Sequence, residues 1–199
     1  MLKFLKKFFS EKKQDKLLEL SFIDEPISAK LKLNYDTISK MYGNSSDIVL
    51  RRTNTGIDGS VPILIVFIEG LVNMQRISDN ILAPINEWGQ NFKNPDEVYN
   101  ELNGRFLSCG SISAADSING IILNISVGKC AIIIDEITKA IICDVTGMET
   151  RSIDEPATEP TIRGSKEGFV ETLRINTSLL RRRIRSPNLR IEERMIGRV

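Results

Sequence analysis

The 199-residue chain contains no histidine. This removes the usual general base near neutral pH, the Ser-His triads and every histidine-containing metal site. Cysteine is sparse: Cys109, Cys130 and Cys143 fall in no metal or redox spacing. An odd, low count fits a reducing compartment. Cys130 and Cys143 lie in apolar runs and read as small core residues. Long hydrophobic runs are also missing. The longest, Ile63 to Ile68, is stopped by Glu69, far short of the ~20 residues a membrane-spanning helix needs. Met1 to Phe9 is no secretory signal, because Lys3, Lys6 and Lys7 break the apolar stretch. Gly110, Gly120 and Gly128 form neither of the glycine-rich phosphate loops. The adjacent acids Asp135-Glu136 and Asp154-Glu155 would point to opposite faces of a strand, so neither makes an acid/base pair. No catalytic constellation, metal-ligand cluster or cofactor motif is left. The expectation is a protein that is not an enzyme and carries no cofactor or metal.

What is present is unevenly charged. The net charge of +1 hides three regions. Residues 1–20 hold six lysines against three acids, residues 21–150 hold ten basic against sixteen acidic residues, and residues 151–199 hold eleven basic against seven acidic. An acidic body with basic ends suggests that the ends meet anionic surfaces, the alternative being plain solvated charge. In residues 1–20, Leu2, Leu5, Phe8 and Phe9 share one helical face, ringed by lysines. This basic amphipathic segment is either a membrane-surface helix or a frayed terminus.

Beyond it, helices and strands alternate. Ser28 to Tyr42 reads as a helix ended by Gly43-Asn44. Asp47 to Arg52 reads as a short strand, Thr53 to Ser60 as a hairpin turn, and Val61 to Ile68 as a strand buried on both faces. A helix over Leu71 to Leu82 is expected to stop at Pro84. A second, Asp96 to Leu107, opens with Asn94 as N-cap and Pro95 in its first turn. Phe106 to Ile112 reads as a short strand. Ser113 to Asp116 resembles a capping box for a helix running to Ser126 and closed by Gly128. Lys129 to Asp135 and Lys139 to Thr146 form a hairpin around Asp135-Glu136. The fold class is α/β in the mixed α+β sense, a mixed sheet covered by helices. The expected division is residues 1–20, a subdomain over residues 21–149, a linker over residues 150–164 with two prolines, and residues 165–199 as the start of a second, similar subdomain.

That last expectation rests on an internal repeat. Ser46 to Gly56 aligns without gaps over Pro187 to Gly197, each following a helix and a short turn, with Ile48/Leu50 matching Leu189/Ile191. Residues 167–185 read as a helix with Phe169, Leu173, Asn176/Thr177, Leu180 and Ile184 along one face, followed by a strand over Leu189 to Met195. A helix and one strand cannot bury a core alone. The chain is therefore expected to break off inside a second copy, with residues 165–199 packing little against residues 28–150.

Two groups of residues carry the functional options. Glu69 ends a buried strand and, with Asn73 and Asp58, would line a small polar pocket, the alternative being that Glu69 simply ends the run at the surface. Arg181, Arg182, Arg183 and Arg185 form the densest charge. They interleave with acids and lack aromatic neighbours, which argues against nucleic acid. Arg181, Arg183 or Arg185 could instead pair with Asp154, Glu155 or Glu159 of the linker.

The segment Arg151 to Arg198 also carries unusual cores: Ile153-Asp154-Glu155-Pro156, Arg163-Gly164, Glu167-Gly168-Phe169-Val170-Glu171, Asn176 and Arg181-Arg182-Arg183-Ile184-Arg185. It resembles the amino-terminal region of the spore germination receptor A subunits, the GerA family. The resemblance implies the N-terminal part of a subunit of a nutrient-sensing complex in the inner spore membrane, lying on the cytoplasmic side. It implies B and C subunits as partners, a membrane anchor elsewhere in the protein, and a nutrient bound elsewhere in the complex. The matched positions Arg163, Glu167, Glu171, Asn176, Arg181 and Arg183 become candidates for an interdomain or partner contact. The rival expectation is a small-solute-binding α/β module with its pocket near Glu69.

Overall fold

A computed structural model describes residues 25–87, 92–147, 169–194 and 196–197. The basic segment 1–20 and the linker 150–164 lie outside the described residues. The elements run α1 (Leu31–Tyr42), β1 (Ile48–Thr55), β2 (Val61–Ile68), α2 (Met74–Ile77), α3 (Ala83–Glu87), α4 (Pro95–Glu101), β3 (Ile112–Ala115), α5 (Ile118–Ile125), β4 (Cys130–Ile134), β5 (Ala140–Cys143) and α6 (Leu173–Arg183).

One five-stranded sheet, ordered β1-β2-β4-β5-β3, organises the fold. The expected α+β class with helices over a sheet holds. The sheet is not mixed in direction, since every pairing in it is antiparallel. Two hairpins, β1–β2 and β4–β5, account for two of the four pairings, because a short turn can only reverse the chain.

The central strands alternate two buried faces. Leu64, Val66 and Ile68 of β2 join Ala131 and Ile133 of β4 under α1 and α5. Ile63, Ile65 and Phe67 join Ile132, Ile134 and Ile141 under the helices between β2 and β3. Period-two alternation with both sets apolar is why β2 and β4 read as unbroken hydrophobic runs.

Several local expectations are corrected. The chain between β2 and β3 does not stop at Pro84. A π-helical turn, Ser78–Leu82, joins α2 to α3, and Pro84 sits inside α3. The wider turn relieves the clash a proline ring makes with the preceding turn. Asn94 does cap α4, accepting from the Glu97 amide at 2.9 Å. Ser113 to Ala115 belong to β3, and Ser117 rather than Ser113 caps the next helix, accepting from the Gly120 amide at 3.2 Å. The final helix begins at Leu173, not at residue 167, and residues 189–194 join no sheet ladder.

The core has a consequence for alkaline stability. Burial pushes the Cys130 thiol well above its ordinary value, and burial likewise raises the Tyr42 phenol. The Cys143 thiol, beside Cys109 and sealed in the core, is raised as well. Above about pH 9 the unfolded chain ionises both thiols while the folded chain ionises neither, so the unfolded state binds fewer protons and stability falls. The expected slope is about 2.7 kcal/mol per pH unit, with Tyr42 adding to it above pH ~10. Urea titrations from pH 8 to 11 will show this loss. Cys130→Ala roughly halves it below pH 10, and an unchanged slope in that variant would refute the assignment.

Candidate functional site

β1 and β2 are adjacent antiparallel strands, so Asp47, just before β1, lies beside Glu69, just after β2; the Glu69 amide donates to the Asp47 carbonyl at 2.8 Å. The last helix, α6, packs across this end of the hairpin. Thr177, Ser178, Leu179 and Arg181 are its buried residues. Two of these are small hydroxyl residues that let the backbones approach. Their hydroxyls bond back to the Arg174 and Ile175 carbonyls at 2.9 and 2.7 Å, so burial leaves them satisfied. Gly70, at φ +88, completes the fit, because a Cβ there would stand 3.2 Å from Ser178 Cβ. Residues 173–183 thus dock closely on the body, contrary to the loose packing expected for residues 165–199.

Arg181 is the centre of this contact. Its Nε donates to Asp47 Oδ2 at 2.7 Å and its Nη2 to Asp47 Oδ1 at 2.8 Å, a two-pronged pair sealed from solvent. Nη2 also donates to Ser45 Oγ at 2.8 Å, and Nη1 donates to the Leu189 carbonyl. Ser45 Oγ in turn donates to Asp47 Oδ1 at 2.8 Å and accepts from the Ile191 amide at 3.0 Å. One hydroxyl therefore uses its single proton and both acceptor sites. Such saturation is what permits two charges to be buried together. The guanidinium also stands 6.0 Å from the Tyr42 ring centroid. Among the described residues the carboxylate that holds Arg181 is Asp47; the linker acids Asp154, Glu155 and Glu159 lie outside the described residues. No periodicity signals the role of Asp47, though its place in the polar run Ser45-Ser46-Asp47 ahead of an apolar strand is a faint sign.

The other sequence candidates separate. Asn176 is half-buried and brackets Val170: its Oδ1 accepts from the Val170 amide at 2.8 Å and its amide nitrogen donates back to the Val170 carbonyl. This clamp turns the chain into the helix and explains why the helix starts late. The same device opens α1, where Asn34 brackets Ser28 with bonds of 2.8 and 2.7 Å. In both places the asparagine lies six residues after the residue it holds. Glu171 and Arg183 are exposed, and Arg163 and Glu167 lie outside the described residues. The expected face divides: Thr177 is buried and Asn176 and Leu180 half-buried, but its apolar ends are open, with Leu173 63% and Ile184 47% exposed. Its counterparts on α1, Leu31 and Tyr42, are buried in the core. Capture of Arg181 by Asp47 sets the helix rotation that leaves this stripe uncovered.

Asn176→Ala removes both bracket bonds and is expected to cost about 1–2 kcal/mol, the range for lost side-chain caps. Hydrogen exchange should quicken first at residues 170–175. Uniform acceleration along all of α6 would contradict a local clamp.

Glu69 and Asn73 do share a cleft of about 540 Å³, also lined by Arg174, Ser178 and Gly147. Asp58 does not join them. It sits in the turn before β2, whereas Glu69 follows β2, so the two are separated by the whole strand. The cleft's polar groups are largely engaged. Glu69 pairs with Arg174 at 3.2 Å, with both side chains 37% exposed. Asn73 caps α2, accepting from the Arg76 amide at 3.0 Å. Among the described residues no cluster of three or more acids and cysteines could hold a metal ion, and no helix is long and apolar enough to cross a membrane.

Known proteins resemble this chain in sequence and fold. The family profile described as Bacillus/Clostridium GerA spore germination protein matches residues 36–199. An uncharacterised membrane protein of Bacillus subtilis strain 168, YfkQ, is 34% identical over 190 residues, covering 93% of this chain and 36% of that protein. Spore germination protein KA of the same organism is 32% identical over 173 residues, covering 87% of this chain and 31% of its own length. This chain thus spans about a third of the length of each. The crystal structure of the N-terminal domain of the A subunit of the Bacillus megaterium spore germinant receptor GerK3 superposes with a TM-score of 0.65 at 28% identity, covering 88% of this chain and 62% of that one. With the profile matched through the docked helix and the arginine run to the last residue, the chain belongs to the GerA family of spore germination proteins.

Proposed function

We propose that this chain is the N-terminal region of the A subunit of a nutrient germinant receptor and that it works without catalysis, as a rigid block that holds its neighbours in the receptor at a fixed angle. One observation carries this reading above the others: the likeness to the N-terminal domain of a germinant receptor A subunit over most of the chain. The full subunit sits in the inner spore membrane, with this region on the cytoplasmic side and B and C subunits as its partners. The nutrient binds elsewhere in the complex. Residues 1–20, basic and amphipathic, add a contact with anionic lipid.

Within the block, Arg163, Glu167, Glu171, Asn176, Arg181 and Arg183 form the contact segment, with different tasks. Arg181 fixes α6 on the body and Asn176 clamps the turn that leads into it. Glu171 and Arg183, both exposed, face what comes next. The repeated asparagine bracket supports reading α6 as the opening helix of a second unit built like the first, whose sheet covers the Leu173–Ile184 stripe. The solute-binding alternative is set aside, because Glu69 and Asn73 are committed to Arg174 and to a helix cap.

The test uses spores that lack every other receptor and carry the full-length protein with its B and C subunits. Amino acids, sugars and nucleosides are offered as germinants, and the fall in absorbance is followed. At least one class is expected to restore germination, and Arg181→Ala is expected to abolish the response while lowering receptor level in the membrane fraction. Spores with normal receptor level and no response to any class would overturn the reading.

A further inference from the structure

The chain that leaves α6 lies along the loop between α1 and β1, residues 43–47. It is gripped there by contacts largely separate from those that hold the helix. Ile191 is fixed on both sides of its backbone. Its carbonyl accepts from the Ser46 amide at 2.8 Å and from Ser46 Oγ at 3.0 Å, and its amide donates to Ser45 Oγ at 3.0 Å. One residue earlier, Arg190 Nη2 donates to the Met41 carbonyl at 3.3 Å. That carbonyl lies in the last turn of α1, where the final carbonyls lack helical partners and a cation is favoured. The guanidinium rests against Gly43, where a Cβ would stand 3.3 Å from its Cζ. These bonds fix residues 190 and 191 in direction as well as in position. Only Ser45 is shared with the Arg181 network.

We infer that the α1–β1 loop is a bearing that aims the chain leaving the docked helix, with Arg190 and Ser46 as its positioning residues. On the reading that this block holds its neighbours at a fixed angle, these two residues are what sets the angle. Arg181 and Asp47 decide that α6 is docked. Arg190 and Ser46 decide where residues 192–197 point. Among the described residues Ile191 is the last whose backbone is held. Beyond it Glu193 stands 3.7 Å from Arg174, and Glu192 stands 3.3 Å from Arg194. Pairs between such exposed side chains hold a direction poorly.

The bearing also couples the exit to the core. α1 carries Ile38 and Tyr42 into the cluster beneath it, and its end carries Arg190. A small slide of α1 over the sheet therefore swings the exit segment while Arg181 keeps α6 in place, a shear of packed elements.

Amide exchange and backbone order parameters are measured by NMR on the folded 199-residue chain and on the double variant Ser46→Ala/Arg190→Glu. The alanine removes one bond to Ile191, and the glutamate sets negative charge against the end of α1, where the helix dipole opposes it. Residues 190–197 are expected to lose order, with exchange at Ile191 faster by about tenfold or more, while α6 keeps its protection. Arg190→Lys, which keeps a cation for the Met41 carbonyl, should restore most of the order. In spores, the double variant in the full-length protein should reach the parent receptor level yet germinate about fivefold more slowly. Parent-like order at residues 190–197, or equal loosening of α6, would refute the positioning role. A loosened exit with germination at the parent rate would show that its direction is not read. If parent spores answer no germinant, the receptor reading fails by itself, and the exchange measurements still decide the positioning role.

Discussion

Arg181→Ala lowers folding stability by about 3–5 kcal/mol in urea titrations at neutral pH, the range for breaking one partner out of a buried ion pair. Against the 5–15 kcal/mol of a typical domain this is a large fraction. The loss comes less from missing contacts than from what stays behind: Asp47, sealed beside Ser45 with its guanidinium gone. Arg181→Lys recovers only part, because an ammonium cannot meet both carboxylate oxygens in the plane and reach the Leu189 carbonyl as well. A double-mutant cycle with Asp47→Ala should give a coupling energy of about 2–3 kcal/mol. Glu171→Ala, at an exposed position, should change stability by no more than about 0.5 kcal/mol. A cost below 1 kcal/mol for Arg181→Ala would show that the network tolerates an empty centre and that α6 is held by shape alone.

Gly128→Ala should cost about 2–4 kcal/mol, from backbone strain and collision together. Gly128 closes α5 with φ +92, a conformation that side chains resist. The space is closed as well, since a Cβ there would stand 2.7 Å from the Leu71 carbonyl oxygen, which belongs to backbone and cannot swing aside. The nearby Thr146 hydroxyl donates to the Gly128 carbonyl at 3.2 Å, so displacement there disturbs the exit of β5 too. Thermal melts of the variant will report the loss. A midpoint within a degree or two of the parent would mean that the α5–β4 turn shifts freely.

The main elements were legible because they rest on local rules. The alternation in β2 and β4, the Asn94-Pro95 helix start and the β4–β5 hairpin all follow from side-chain period and turn chemistry. Misplaced boundaries came from competition between neighbours. Ser113 and Ser117 both offer a cap, and only sheet pairing at β3 decides between them. Pro84 looked like a stop because nothing local announces a π turn. The site was half legible. Arg181 and Asn176 were singled out, yet their partners, Asp47 and Val170, were not: one lies 134 residues away and the other is a backbone group. The exposure of Leu173 and Ile184 was not legible, because hydrophobic period shows which residues share a face and not which part of that face meets the core.

The span between Asp47 and Arg181 also sets a timetable for biosynthesis. A ribosome working at about 5–20 residues per second exposes Asp47 some 7–27 s before Arg181 emerges. The sheet can pair in that interval, since its strands are all made by Cys143. The mouth of the β1–β2 hairpin cannot close dry, because Asp47 must keep its water until the guanidinium arrives. In the nascent chain the first strand made is thus the last to be sealed.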